Sequence, residues 1–210
     1  MNLDEATKAV IRVGQGRGFV TEHDREGRIV ITAAHCLPSL PPCFAASSLE
    51  DRTYQRLLGP LGAEATVWAE CLFADPVADI AVLGSPDGQA LYDEAEAYDM
   101  LVEEAGALNI GTLPNGDNFQ GTPFHQGFLL SLDGKWNKCA VQVGGKDAWD
   151  RLWIRDAKEG IVGGMSGSPI LVDGKAVGLM AVSGGAIGGL HNEGGPNPRL
   201  TANLPSGLLS

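Results

Sequence analysis

Short runs of β-branched and aliphatic residues, each cut off by glycine or a charged turn, set the pattern of this chain. Residues 10–13 form such a run, followed by a glycine-rich stretch, then residues 19–21, a polar turn, and residues 29–32. Residues 67–73 and 80–83 repeat the pattern. Beyond Gly106 come 128–132, 139–143, 152–154, 170–172 and 176–182. Branched side chains are stiff at χ1 and pack well on a pleated surface, so these runs predict strands. Asp173-Gly174, between the last two, carries the chemistry of a two-residue hairpin turn. Many short strands at this spacing predict a sandwich or barrel. The 29 glycines among 210 residues are roughly twice the usual share and show no collagen-like period. They suit a chain that reverses direction often. With 44% hydrophobic and only 20% charged residues the chain can bury a core, which excludes disorder.

One segment departs from the strand pattern. From 89 to 105, Leu91, Ala95, Tyr98, Val102 and Ala105 recur at helical spacing. Asp87 is placed to cap the start and Gly106 to end the turn in the left-handed conformation. The expectation is an amphipathic helix bridging two β lobes.

Charge narrows the function classes. The net charge is −11, and no Lys or Arg falls between Arg56 and Lys135, a stretch holding 13 of the 26 acids. Phosphate neutralisation needs a basic surface, so nucleic acid is excluded as a partner. The acidic segment 87–104 reads either as a face that steers a basic partner or as a solvated helix that keeps the protein soluble. No apolar run approaches the roughly 18 residues of a membrane span. The N-terminus has acids where a secretion signal needs cations, so a cytoplasmic protein is expected. Cys36, Cys43, Cys71 and Cys139 could form two disulfides, but four in a chain of this length is also ordinary for free thiols, which are the expectation.

Three places could carry chemistry. His35 stands at the end of the 29–32 strand, and imidazole is the side chain whose ordinary pKa suits proton transfer near neutrality. Gly163-Gly164-Met165-Ser166-Gly167-Ser168-Pro169 brackets a serine with glycines, so the backbone can turn sharply and aim two N–H groups at one point. Acyl transfer needs such a pair where negative charge develops on a carbonyl oxygen. Asp79 leads into an apolar strand, where a carboxylate is costly unless something binds it, and a histidine N–H is a suitable partner. Asp75, before Pro76, reads as a turn residue. Each signal alone fits a structural histidine, a loop or a buried acid.

Together, with the order His, Asp, Ser at separations of 44 and 87 residues, they resemble the chymotrypsin/trypsin-like serine peptidases. TAAHC, DIAVL and GMSGSP resemble that family's histidine, aspartate and serine blocks over roughly residues 8 to 190, in the manner of bacterial trypsin-like peptidase domains. The resemblance implies an all-β fold of two antiparallel Greek-key barrels with the helix between lobes. Its divisions would be an N-terminal barrel at 1–85, a helical linker at 86–108, a C-terminal barrel at 109–195 and a proline-rich tail at 196–210. The tail would pack across the barrels or link to another domain, with the family's closing helix missing or very short.

On the same resemblance Ser166 is the nucleophile, His35 the general base and then acid, and Asp79 the group that fixes the imidazole tautomer. The N–H groups of Gly164 and Ser166 would form the oxyanion hole. Ser168 is the weaker candidate, because Pro169 follows it directly. Gly160, six residues before Ser166, would floor the substrate pocket, with Ala181, Val182 and Ser183 on the far wall, favouring an apolar or medium-sized P1 side chain. A one-residue slip would put Glu159 at the floor and favour Arg or Lys. Secreted relatives bridge the cysteine after the histidine to one upstream, and none precedes Cys36. Relatives activated by clipping carry an aspartate where this chain has Met165, so no clip-dependent activation is expected. His125 and His191 have no ligand-spaced companions, so neither metal nor cofactor is expected, and His23 reads as a surface turn. The function expected is a serine endopeptidase that processes a specific protein or peptide partner. The rival reading is a binding module that keeps the barrels without catalysis.

Overall fold

The computed structural model describes residues 3–42, 52–114, 123–144, 151–181 and 192–209. The first lobe consists of β1 (Val10–Val13), β2 (Gly16–His23), β3 (Gly27–Thr32), β4 (Thr53–Pro60), β5 (Val67–Asp75) and β6 (Ile80–Gly84). They close into a barrel in the order β1-β2-β3-β6-β5-β4, every pairing antiparallel. Phe19, Ile29, Ile31, Leu58 and the whole aliphatic face of β6 are buried inside it. A run apolar at every position, like residues 80–83, belongs to a strand covered on both faces. The helix α2 (Tyr92–Ala105) lies chiefly over the neighbouring β5, and its Tyr98 side chain reaches β6 at the Leu83 carbonyl.

That helix corrects the expected cap. It begins at Tyr92, and the Asp87 carboxylate instead accepts the Gln89 N–H at 2.9 Å in a turn that precedes it. It stands in the chain between the two lobes and packs on the first barrel. Tyr98, Leu101, Val102 and Ala105 join that core, and the Tyr98 hydroxyl donates toward the carbonyls of Arg28 (3.0 Å) and Leu83 (3.2 Å). Arg28 Nη1 donates to the carbonyls of Val102 and Glu103 and satisfies the helix C-terminus, where a cation also favours the dipole. Gly106 ends the helix at φ +78°, the positive φ expected of a closing glycine, but with ψ −172° in place of the left-handed helical value. The helix's outward acids, among them Asp93, Glu96 and Asp99, leave a negative face.

Beyond Gly106 the chain crosses to the second lobe, where the Ala176 and Gly111 N–H groups bond to Asn109 and Ala176 carbonyls. There β7 (His125–Leu130), β8 (Trp136–Val143), β9 (Leu152–Arg155), β10 (Pro169–Val172), β11 (Lys175–Leu179) and β12 (Gly194–Asn197) form a six-stranded sheet in the order β11-β10-β7-β8-β9-β12. An antiparallel bridge between Gly178 and Arg199 returns the chain after β12 to β11 and brings the two edges together. Asp173 and Gly174 both take left-handed angles, the mirror-image turn that matches strand twist in a two-residue hairpin.

Both ends of the described chain cross between lobes. From α1 (Leu3–Lys8), the Leu3 carbonyl and the Thr7 hydroxyl accept the indole N–H of Trp136, on the second barrel, at 3.0 and 2.8 Å. The tail forms a four-residue helix, α3 (Leu200–Asn203), beside β11, and Leu200 and Leu204 sink into a core cluster that draws on both lobes. His23 is no surface turn. It is buried, its Nδ1 accepts the N–H groups of Arg25 and Glu26, and its Nε2 lies 2.6 Å from the Gly207 carbonyl, which anchors the tail. No helix among the described residues is long and apolar enough to cross a membrane.

Candidate active site

After β3 the chain makes one 3₁₀ turn, Ala34–Cys36, which buries Ala34 and Cys36 and presents the His35 ring half-exposed. Asp79 sits between β5 and β6 at φ +59°, a region unusual for a residue with a side chain and tolerated best by Asp and Asn. Its carboxylate grips His35 twice. Oδ1 accepts the His35 backbone N–H at 3.0 Å, and Oδ2 lies 2.7 Å from ring Nδ1. With Nδ1–H donated to the carboxylate, the Nε2 lone pair is the one left to take a proton. Asp75 accepts the N–H groups of Val77 and Ala78 at 2.8 and 2.9 Å, the turn role expected of it.

The serine turn belongs to the second lobe. Gly164 and Gly167 stand at φ +89° and +82°. Within the turn, the N–H groups of Met165, Gly167 and Ser168 are taken by the carbonyls of Val162, Met180 and Met165. The N–H groups of Gly164 and Ser166 make no hydrogen bond among the described residues, the state required of donors kept for a developing oxyanion. Met165 is buried in the second core, and its sulfur accepts the Val162 N–H at 3.5 Å. Ser166 is partly exposed. Ser168 is fully buried, and its hydroxyl has no partner.

The two halves meet backbone to backbone. The Arg17 N–H donates to the Ser166 carbonyl at 2.8 Å, and the thiol of Cys36, next to His35, lies 3.7 Å from the same oxygen. A Cβ on Gly16 would stand 2.5 Å from the Cys36 sulfur and 2.7 Å from the Ser166 carbonyl, so only glycine lets β2 pass here. A Cβ on Gly167 would strike the Arg17 carbonyl, which Thr32 Oγ1 holds at 2.7 Å. The buried Arg17 guanidinium reaches into the second lobe and donates to the Leu130 and Ser131 carbonyls at 2.9 and 3.0 Å. Burial pushes its pKa down. No hydrogen bond joins the His35 ring to the Ser166 hydroxyl among the described residues; in unliganded hydrolases this contact is often long and tightens with substrate.

A cavity of about 60 Å³ opens beside Ser166, lined by Ile161, Val162, Gly163, Met165, Met180 and Ala181. Of the residues expected to form a substrate pocket, Ala181 lines it, while Val182 and Ser183 lie outside the described residues, as do Cys43 and His191. Gly160 and Glu159 are not in its lining. Gly160 is buried at φ +59° with its N–H on the Ala157 carbonyl, and Glu159 is exposed, a lesser neighbour of Lys135, whose pKa is raised chiefly by its hydrogen bond to Asp133. Both belong to the turn before the cavity, so its lining begins one residue later, at Ile161. Sequence reasoning also missed Arg17, although the glycines flanking it signal a close approach. A larger groove of about 390 Å³ is lined by Gly16, Arg17, Gly164, Leu132 and Asp133, among others. Cys36, Cys71 and Cys139 are free and buried. Among the described residues no three His, Cys, Asp or Glu side chains cluster as metal ligands do.

Solved structures share the fold. "Rv3671c protease, inactive form" is 17% identical over 96% of this chain and 88% of its own, with a TM-score of 0.52. The serine protease domain of the Sesbania Mosaic Virus polyprotein is 15% identical over 91% and 88%, with a TM-score of 0.54. The MamO protease domain from Magnetospirillum magneticum, in its apo form, is 16% identical over 92% and 94%, with a TM-score of 0.52. No curated protein matches the sequence significantly. The model of the trypsin-like peptidase domain matches residues 16–179, from the first residue of β2 to the last of β11, and the chain belongs to that family.

Proposed function

We propose that the chain is a serine endopeptidase in which Ser166 attacks the scissile carbonyl. His35 takes the serine proton at Nε2 and returns it to the leaving amine. Asp79 holds the ring and stabilises the imidazolium, and the Gly164 and Ser166 N–H groups receive the oxyanion. The observation that carries this reading is the two-point grip of Asp79 on His35, one residue from a thiol in contact with the Ser166 carbonyl. Among the described residues the cavity is lined by the side chains of Ile161, Val162, Met165, Met180 and Ala181 beside Gly163 and Ser166, none of them charged, which supports a small or medium apolar P1 side chain. The larger groove, which Gly164 also lines, gives the leaving peptide a place to lie. The substrate is a protein or peptide, cut at restricted sites in a specific partner, and the acidic face of α2 is suited to a basic segment of it.

Mass spectrometry after incubation with a fluorophosphonate tests the reading. Labelling at Ser166 that disappears in His35→Ala is the expected result. A folded but unlabelled wild-type protein would instead favour the binding-module reading. A peptide panel varied at P1 should rank Ala and Val above Arg and Lys, and the reverse order would count against the apolar cavity as the specificity site.

A further inference from the structure

The Asp79 carboxylate makes both of its hydrogen bonds to His35, and no other donor reaches it among the described residues. Its position is therefore set by its own backbone, held at φ +59° against local preference. The chain just before it is fixed from two directions. On one side the Asp75 carboxylate takes the N–H groups of Val77 and Ala78. On the other, Arg151 arrives from the start of β9 in the opposite lobe, where Nη1 donates to the Ala78 carbonyl at 2.7 Å and Nη2 to the Val77 carbonyl at 3.0 Å. A guanidinium fork is suited to this, because it spans two acceptors with a rigid, permanently charged plane. It also mirrors Arg17, which reaches from the first lobe to two adjacent carbonyls of the second.

We infer that Arg151 is a positioning residue for Asp79: the lobe that carries Ser166 sets, through this fork, the angle at which Asp79 holds His35. The inference rests on the peptidase reading of the site, but it concerns a geometric coupling that can be observed without turnover. Asp75 alone fixes the loop only to its own lobe. Arg151 adds the tie across the seam, so that the imidazole and the serine share one frame. A displacement of about 1 Å at a catalytic group can lower a rate on the order of a hundredfold, so the loss of this tie should reach the chemistry although Arg151 touches no reacting atom.

The test compares wild type, Arg151→Ala and Arg151→Lys. Proton NMR follows the low-field His35 Nδ1–H, and the fluorophosphonate labelling rate of Ser166 is measured against pH, with thermal melting alongside. In Arg151→Ala the His35 resonance should broaden or vanish and labelling should slow about ten- to a hundredfold in folded protein. Lysine, which can point at only one carbonyl at a time, should recover part of both. Guanidinium ion at low, non-denaturing concentration should recover part of the rate in Arg151→Ala and none in Arg151→Lys. The inference is overturned if Arg151→Ala keeps the wild-type resonance and rate, or if its loss tracks the unfolded fraction and guanidinium restores nothing. Failure of the peptidase reading looks different: wild type would then be unlabelled with its His35 resonance present, and the NMR comparison alone would decide the role of Arg151.

Discussion

Arg17 hands its backbone N–H to the carbonyl of Ser166 at 2.8 Å, so a strand of the first barrel and the serine turn of the second are hydrogen-bonded at Ser166 itself. The same arginine closes the contact with its side chain, donating to Leu130 and Ser131. In Arg17→Met the stem is kept and the fork is lost, leaving two buried carbonyls unanswered. Denaturant unfolding should show a loss of about 2–3 kcal/mol, the scale of hydrogen bonds to a charged donor. An unchanged midpoint would mean that the guanidinium costs as much to bury as its bonds return.

Gly16→Ala would push a methyl group onto both the Cys36 sulfur and the Ser166 carbonyl. Neither neighbour is the free end of a flexible side chain, so β2 or the serine turn must shift. The fluorophosphonate labelling rate should fall by about a hundredfold while circular dichroism still reports a β fold. Gly27, with open space around its missing Cβ, is the control for strain alone: at φ +71° Gly27→Ala should cost about 1 kcal/mol and leave the labelling rate untouched.

Ser166 and Ser168 are two positions apart and should behave oppositely. Ser166→Ala should abolish labelling. Ser168→Ala should retain it and be neutral or stabilising by up to about 1 kcal/mol, since it removes a fully buried hydroxyl that has no partner. Labelling at Ser168 would reverse the assignment.

Burial raises the thiol pKa of Cys36, takes Cys71 to about 11 and takes Cys139 to about 12. The thiolate is the nucleophile, so at pH 8 Cys71 and Cys139 should alkylate at least about a hundredfold more slowly than an unstructured cysteine. Peptide mapping of iodoacetamide-treated native and unfolded protein measures this, and rapid native modification at either site would contradict their burial.

Glu70 on β5 contacts Arg52 at 2.8 Å, yet desolvation outweighs that partner and raises its pKa. Because the folded pKa lies above the unfolded one, this group's contribution to stability is complete below the ordinary glutamate range and is lost as pH rises through the folded value. Glu70→Gln, which mimics the protonated form, should therefore melt above wild type at pH 7 and level with it at pH 4. A lower melting point at pH 7 would show the ion pair to be the stronger effect.

The parts of this fold that could be read in the sequence were those with one dominant local cause. The unbroken aliphatic run of β6, the Asp173-Gly174 turn and the helical spacing through Tyr98 each follow from side-chain shape and periodicity. β4 was illegible because its register shifts between Tyr54 and Leu58, around Arg56 at φ +51°, which destroys the alternation. β12 is a Gly-Gly-Pro-Asn segment with no strand propensity, made a strand only by pairing with β9. At the site, His35, Asp79 and Ser166 stood out through their neighbours, whereas Arg151 lies far along the chain from the carbonyls it holds, and no local pattern marks it. The cavity lining escaped for a related reason: the turn through Gly160 decides which residue comes first, and turn geometry is a property of the folded backbone.

Leu200 and Leu204 have a consequence for assembly. They lie in a core cluster that runs through both lobes, with Phe19, Leu58 and Leu83 from the first and Leu130, Leu171 and Leu179 from the second, and His23 waits for the carbonyl of Gly207. The segment after β12 thus closes on both lobes at once. The first lobe, with its His35–Asp79 pair, is fully packed only when that segment has come into place.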